Sequence, residues 1–278
     1  ALGEGHGVGG EIRLAQHQTG LVREGAARAG IYGPGYFVSL DAYHDDLVGA
    51  LQAFLHGIGD TPYATDRFGV ALRLRASMAE GRVPPMHVVA PSGERGFWID
   101  WHDGSMRYES HVLEEVIPAA ERLLGGERER ADRHLLGVSM GGIGGLQIGL
   151  RHPDRFAATT SLSGPILDER QAVEHLERSF TRWLVPLGRI FGDGTDREFL
   201  EAHNPFAITR RRAPDLGTRL YIAAGEREKP FFRDTTVAYH ELLVELGVPH
   251  EFELFAGRHG WRYWAPAIER ALVWAHGA

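Results

Sequence analysis

The chain has 278 residues, of which 43% are hydrophobic and 24% are charged, a balance typical of a soluble globular protein with a sizeable core. Its formal net charge of −7 argues against nucleic acid or an anionic membrane as the main partner. Because the chain contains no cysteine, disulfides, thiolate metal sites and a cysteine nucleophile are excluded. No apolar run is long enough to cross a membrane. The length suits a single domain over residues 1–278.

The amino-terminal part gives the least regular pattern. Short runs at 11–14 and 36–40, separated by the Gly-Pro-Gly sequence at 33–35, predict antiparallel strands at a sheet edge. The chain begins at Ala1 and opens without a basic and apolar signal sequence. A chain that begins with alanine and not with methionine is expected after removal of a leader peptide, which points to secretion. A chain shortened for another reason would begin in the same way. Compartment and oligomeric state therefore stay open.

From residue 50 onward, buried-strand patterns alternate with helical ones. The first predicted helix covers 67–80, with Leu72 and Leu74 among its inward residues. This alternation predicts an α/β fold with a mostly parallel sheet and helices on both faces. The predicted strands are 50–55, 86–91, 132–136, 156–164, 218–225 and 249–255.

A strand that ends on a serine and enters a helix lies at 136–142, Leu-Gly-Val-Ser-Met-Gly-Gly. A Gly-x-Ser-x-Gly corner needs glycine two residues before and after Ser139, because neighbouring backbone passes too close for a Cβ. Five glycines between 141 and 149 would weaken a helix unless it packs very closely on strands. The pattern favours a nucleophile elbow; a glycine-rich turn with an incidental serine is the alternative.

Polar residues also follow the last two predicted strands. Glu226, Glu228 and Asp234 come after the strand at 218–225, and His259 follows the strand at 249–255. Serine, then acid, then histidine, each in a loop after a strand, is the chain order of the α/β-hydrolases. The residues alone leave the choice among the three acids open.

Several segments resemble the esterase D family of α/β-hydrolases, a resemblance that runs from about Ala50 to Trp274. The family holds carboxylesterases, feruloyl and S-formylglutathione esterases, siderophore esterases and bacterial mycolyltransferases, and the similarity to the last is closest at 259–264. The matching segments are Leu55-His56-Gly57-Ile58-Gly59-Asp60, Arg107-Tyr108-Glu109-Ser110, Gly137-Val138-Ser139-Met140-Gly141-Gly142, His152-Pro153-Asp154-Arg155-Phe156 and His259-Gly260-Trp261-Arg262-Tyr263-Trp264.

The resemblance implies an α/β-hydrolase fold and a role for each matching residue. Ser139 would be the nucleophile, His259 its base and Glu228 the acid that orients the histidine. The N–H groups of Ile58 and Met140 would form the oxyanion hole. A plain glycine turn is the alternative for the loop at 56–60. Ester cleavage by an activated serine needs no cofactor or metal, so we expect neither, and a small-molecule ester as the partner.

Aromatic residues outside these segments suggest pocket walls. Trp98 and Trp101 lie in a loop after the strand at 86–91, where open α/β sheets bind ligands. The irregular stretch 165–215, which contains Trp183, would form a lid-like insertion within the domain, and Trp261 follows His259. Ordinary packing is the alternative for each of these tryptophans.

Three functions fit the sequence. The first is a serine carboxylesterase that forms an acyl-enzyme on Ser139 and hydrolyses it with water. The second is an acyltransferase, similar to the mycolyltransferases, that passes the acyl group to a sugar or another alcohol. The third is a non-catalytic binding protein on a hydrolase scaffold. This third function is disfavoured because a candidate residue is present at every catalytic position. The natural acyl group and alcohol cannot be read from the sequence.

Overall fold

The computed structural model describes residues 13–17, 20–24, 36–39, 49–178 and 185–276. Within these residues, nine strands form one sheet in the order β1-β2-β3-β5-β4-β6-β7-β8-β9. The strands are β1 Arg13–His17, β2 Gly20–Glu24, β3 Tyr36–Ser39, β4 Ala50–Leu55, β5 Met86–Ala90, β6 Arg133–Val138, β7 Ala158–Leu162, β8 Arg219–Gly225 and β9 His250–Phe255.

Strands β4 to β9 are mutually parallel, whereas β1, β2 and β3 extend the sheet antiparallel beyond β5. The mostly parallel sheet and its antiparallel amino-terminal edge are therefore as the sequence predicts.

The described residues also form eleven α-helices. The helices are α1 Ala64–Arg67, α2 Val70–Ala79, α3 Tyr108–Ser110, α4 Ile117–Leu123, α5 Met140–Arg151, α6 Glu169–Arg178, α7 Leu187–Phe191, α8 Arg197–His203, α9 Pro205–Arg212, α10 Pro230–Glu245 and α11 Trp261–His276. A π-helical turn, His111–Val116, joins α3 to α4, and a 3₁₀ turn spans Arg130–Asp132.

Strand β4 shows why the sheet is covered on both faces. Ala50 and Phe54 pack in a cluster with α2 and α11, while Leu51, Ala53 and Leu55 pack in a cluster with α4 and α5. Successive side chains of a strand point to opposite faces, and both sets are buried, as parallel strands require. The prediction of helices on both faces is confirmed.

The first predicted helix is shorter than expected. Helix α2 begins at Val70, and Leu72 is 68% exposed, so the prediction that Leu72 points inward is wrong. At 100° per residue, Val70, Ala71 and Leu74 share the buried face, whereas Leu72 falls on the opposite side. None of the helices in the described ranges is long and apolar enough to span a membrane.

The parallel strands determine where the loops meet. Because β4, β6, β7, β8 and β9 run in the same direction, their carboxyl ends lie at one edge of the sheet, which is the ligand-binding edge of open α/β folds. The loops that leave these five ends begin near His56, Ser139, Ser163, Glu226 and Ala256.

Candidate active site

Ser139 occupies a strained corner between β6 and α5. Its backbone has φ 55° and ψ −120°, a conformation that few non-glycine residues adopt, and its N–H donates to the carbonyl of Leu162 at 2.8 Å. A Cβ on Gly137 would overlap the carbonyl of Gly141, and a Cβ on Gly141 would overlap that of Leu55. Both glycines of the Gly-x-Ser-x-Gly corner are therefore required by close backbone contact.

Two hydrogen bonds join the predicted serine, histidine and acid. The Ser139 Oγ lies 2.9 Å from Nε2 of His259, and Nδ1 of His259 lies 3.1 Å from Oε2 of Glu228. Glu228 is buried, whereas Glu226 and Asp234 pair with neighbouring arginines in solvent-exposed positions. The structure thus brings Glu228, and neither of the other two acids, to the histidine.

The second oxygen of Glu228 is fully engaged elsewhere. Its Oε1 accepts from the Ser163 hydroxyl at 2.5 Å and from the backbone N–H of Gly225 at 3.0 Å. These donors fix the carboxylate and leave Oε2 for His259. Sequence reasoning missed Ser163; its one signal was its place directly after β7.

The imidazole of His259 is held on two sides by aromatic rings. Phe232 stacks on it with ring centroids 3.9 Å apart, and Trp264 meets it edge-on at 4.7 Å. Such contacts restrict the rotation of the imidazole ring. The chain of hydrogen bonds from Ser139 through His259 to Glu228 is therefore held in place before a substrate binds.

Two free backbone N–H groups adjoin the serine. Among the described residues, neither Ile58 nor Met140 donates its N–H to a backbone or side-chain acceptor. The loop of Ile58 abuts the corner, because a Cβ on Gly57 would lie 3.2 Å from Cβ of Ser139. Met140 begins α5, whose positive end favours a negative charge. Both N–H groups are thus available to a developing oxyanion.

His56 holds the loop that carries Ile58. Its Nδ1 lies 2.8 Å from the carbonyl of Gly57, and its Nε2 accepts from the N–H of Gly93 at 3.0 Å, so the ring is neutral and Nδ1 donates. Burial lowers the pKa of His56, which keeps it neutral. The Gly57 carbonyl and the Ile58 N–H belong to one planar peptide; fixing the first therefore orients the second. This role of His56 cannot be predicted from its place in the His-Gly-x-Gly segment, because its second partner, Gly93, is 37 residues away in the chain.

A cavity of about 430 Å³ opens beside Ser139. Ile58, Met140 and Ile143 line it from the sheet side, and residues of the 165–215 insertion complete its walls. Its lining is mostly apolar, as in pockets that bind the hydrocarbon part of small molecules. The described insertion residues on its walls are Pro165, Leu167, Glu169, Ala172, Val173, His175, Leu176, Val185, Leu187, Phe191, Arg197, Leu200, Glu201, His203, Asn204 and Pro205.

Three of the predicted tryptophans, Trp98, Trp101 and Trp261, do not line this cavity. Trp98 is fully buried and donates its indole N–H to the carbonyl of His56 at 3.2 Å, so the expectation that it binds substrate is wrong; it is a core residue behind the loop. Trp101 lines a separate depression with Asp60. Trp261 bonds to Asp60 and stacks on Phe68. Trp183 lies outside the described residues.

The fold and the serine–histidine–glutamate geometry define a serine hydrolase of the α/β-hydrolase class. The model of a family described as "Putative esterase" matches residues 54–275, and the chain belongs to this esterase family. An acetyl esterase from Caldicellulosiruptor saccharolyticus is 23% identical over 195 residues, 67% of this chain and 70% of that protein.

Solved structures of similar fold include two from Staphylococcus aureus. The first is FphF, a fluorophosphonate-binding serine hydrolase, with a TM-score of 0.71 and 19% identity over 96% of this chain and 97% of the other. The second is the S-formylglutathione hydrolase FrmB, with a TM-score of 0.65 and 21% identity over 82% and 84%. The expected α/β-hydrolase fold and esterase class are confirmed.

Proposed function

We propose that Ser139, His259 and Glu228 are the catalytic triad of this esterase and that hydrolysis proceeds through an acyl-enzyme on Ser139. The Oγ–Nε2 distance of 2.9 Å is the observation that carries the proposal. A serine hydroxyl is inert near neutral pH unless a base takes its proton as it attacks, and His259 lies within reach to do so.

The first half of the reaction transfers the acyl group to the enzyme. The Ser139 oxygen attacks the ester carbonyl while His259 Nε2 takes the proton, and the buried Glu228 carboxylate stabilises the resulting imidazolium. The N–H groups of Ile58 and Met140 bind the oxyanion, each worth about 3 kcal/mol in comparable sites. Collapse of the tetrahedral intermediate expels the alcohol, which takes the proton from His259.

Water completes the cycle. His259 removes a proton from a water molecule as that water attacks the acyl-enzyme, and the same N–H pair binds the second oxyanion. The carboxylic acid then leaves as the proton returns to Ser139. We propose water as the acceptor, which agrees with the esterase class of the family.

The test is a fluorophosphonate probe, which forms a stable bond only with an activated serine. We expect wild-type protein to be labelled and Ser139→Ala to remain unlabelled, with p-nitrophenyl acetate hydrolysis lost in parallel. Ser105→Ala, which changes an exposed serine, is the matched control and should label normally. Labelling that survives Ser139→Ala would reject the proposed nucleophile. Release of free acid in the presence of glycerol, without a glycerol ester, would support water as the acceptor.

We also propose that the insertion at 165–215 acts as a lid over the acyl group. Support comes from its position between β7 and β8 and from its share of the cavity wall. Val173 on α6 lines the cavity, so Val173→Arg should raise KM for an octanoate ester far more than for an acetate ester. Equal effects on the two esters would contradict the lid.

A further inference from the structure

The cavity beside Ser139 is apolar along most of its length but carries buried polar groups in its wall. Phe97, Ile143 and Phe191 are among its apolar residues. Its charged residues Arg95, Arg197 and Glu201 are exposed, and Glu169 is half-buried, so these residues lie toward solvent. Asn204 is buried, but its amide binds the carbonyl of Leu167 and the N–H of Ala207. Two further buried polar side chains, Gln147 and His203, have groups left without partners.

Gln147 is the more telling of the two. It is 6% exposed, lines the cavity, and its Oε1 has no hydrogen-bond partner in the described part of the chain. A buried amide without a partner destabilises the folded state, whereas an apolar residue of similar shape would not. Gln147 lies on α5 about 12 Å from Ser139, since the helix rises about 1.5 Å per residue. It is therefore placed at a distance from the reacting ester.

His203 is the second buried polar residue in the cavity wall. Its Nδ1 donates to the carbonyl of Phe199 at 2.8 Å, which leaves Nε2 as an acceptor, and no described residue donates to it. Burial, then Arg151, lowers the pKa of His203, so the ring stays neutral. Arg151, one turn after Gln147 on α5, binds the carbonyl of Ala202 at 3.0 Å. Because Arg151 follows Gln147 by one turn and Ala202 precedes His203, this contact places His203 near the carboxyl-terminal half of α5, on the side of Gln147 and away from Ser139.

The cavity is better placed for the acyl group than for the alcohol. Ile58 and Met140, whose N–H groups face the carbonyl oxygen in the proposed reaction, both line it. His259, which must protonate the leaving alcohol, is not among its lining residues. An acyl chain that starts at Ser139 would run along α5, past Ile143, toward Gln147.

We propose that Gln147 and His203 form a polar subsite at the far end of the acyl pocket, and that the preferred substrates are esters whose acyl group has an apolar body and a terminal hydroxyl. This inference rests on the proposed function. The Gln147 oxygen and the His203 Nε2 are both acceptors, so they match a hydroxyl that donates, and the amide NH₂ can donate to its oxygen. A terminal carboxylate would face two acceptors and is disfavoured.

The test compares three p-nitrophenyl esters: octanoate, its ω-hydroxy analogue and its ω-carboxy analogue. Wild-type protein should show the highest kcat/KM for the ω-hydroxy ester and the lowest for the ω-carboxy ester. Gln147→Met, which keeps the length and removes the amide, should lower the ratio of ω-hydroxy to plain kcat/KM by about tenfold. Gln147→Leu should act in the same direction. An unchanged ratio in both variants would overturn the subsite.

Ile143→Met is the matched control, because it alters the same wall of the cavity one turn earlier without removing a polar group. It should leave the ratio as in wild type; a fall equal to that of Gln147→Met would show a shape effect and count against the proposal. Thermal unfolding gives a second readout. Gln147→Met should unfold at the wild-type temperature or above it, because an unpaired buried amide is removed.

Two outcomes separate this inference from the proposed triad. If Ser139→Ala abolishes acetate hydrolysis but Gln147→Met leaves the ratio unchanged, the subsite alone fails. If Ser139→Ala hydrolyses all three esters like wild type, the triad itself is wrong. Acetate esters of octanol and of its ω-hydroxy analogue form a further arm: a Gln147→Met effect confined to that pair would assign the cavity to the alcohol and overturn the acyl assignment.

Discussion

Trp264 donates its indole N–H to the hydroxyl oxygen of Ser163 at 2.9 Å, and this contact decides where the serine proton points. An indole nitrogen only donates, so Ser163 accepts from Trp264 and gives its single proton to Oε1 of Glu228, 2.5 Å away. Ser163 has φ 56°, a conformation rare outside glycine. A strained backbone is thus retained where a hydroxyl donates to the carboxylate of the proposed triad.

Removal of the Ser163 hydroxyl should slow the reaction. We expect Ser163→Ala and Ser163→Gly both to lower kcat by about 10- to 100-fold, because a hydrogen bond to a charged group is worth about 1.5–3 kcal/mol, with KM much less affected. Glycine adopts φ 56° without strain, whereas alanine adopts it only at an energetic cost, so thermal unfolding should show the glycine variant to be the more stable. A glycine variant with full kcat would show that the hydroxyl plays no part.

The choice of acid can be tested by a matched pair. Glu228→Gln should lower kcat by about three to four orders of magnitude, since it removes the charge that stabilises the imidazolium. Glu226→Gln changes an exposed residue two positions away and should retain wild-type kcat. Steady-state kinetics on p-nitrophenyl acetate measures both. A normal rate in Glu228→Gln would disprove its role.

The conformation of the loop at 56–60, which carries the proposed oxyanion donor Ile58, should depend on His56. His56→Leu removes the donor to Gly57 and the acceptor for Gly93, which frees the peptide that carries the Ile58 N–H; we expect kcat to fall by up to about 10²- to 10³-fold, the loss seen when one oxyanion donor is removed. His56→Asn can still donate to the Gly57 carbonyl and should recover part of the rate. If the two variants are equally slow, side-chain donation is not what holds the loop.

Substitution by alanine should affect the free energy of unfolding differently at two adjacent glycines of α5, Gly144 and Gly145. A Cβ on Gly144 would lie 2.5 Å from Cβ of the fully buried Trp98, whereas one on Gly145 would meet Cδ1 of Leu55 at 3.7 Å, an ordinary contact. Gly144→Ala should therefore cost about 1–3 kcal/mol of unfolding free energy through overpacking. Gly145→Ala should be neutral or stabilise by up to about 1 kcal/mol through helix propensity. Denaturant unfolding compares them; equal effects would contradict the packing of α5.

Stability should fall in mild acid because of a buried histidine pair. Burial, together with His276 at a ring distance of 4.1 Å, lowers the pKa of His134 to about 3, against 6.5 for an ordinary histidine. Below pH 6.5, His134 binds a proton in the unfolded chain but remains neutral in the folded protein. The free energy of unfolding should then fall by about 1.4 kcal/mol per pH unit for this group, until the pH reaches the folded value.

Denaturant unfolding between pH 8 and pH 4 measures this dependence. His134→Leu introduces an apolar side chain that cannot be protonated at this buried position of β6, so the stability of the variant should fall less steeply below pH 6.5 than that of wild type. At pH 8, His134 is neutral in both the folded and the unfolded state. The free energy of unfolding of each protein at pH 8 is therefore the reference for its values at lower pH. An identical slope in the variant would show that His134 does not contribute.

The sequence by itself determined the features that are encoded locally. The alternation of strand and helix patterns gave the parallel sheet, and the Gly-x-Ser-x-Gly spacing gave the corner at Ser139, because close backbone contact permits only glycine at 137 and 141. The position of His259 after the last strand was likewise readable, since parallel strands end at one edge of the sheet.

Only the tertiary structure decided which distant side chains meet. Glu226, Glu228 and Asp234 are equivalent in a local pattern, and packing of the loop after β8 against His259 separates them. The sequence pattern suggests Trp98 as a pocket residue, but it is buried behind the loop at 56–60. These outcomes depend on the packing of loops from separate strands against one another, which is a property of the whole sheet and of no single segment.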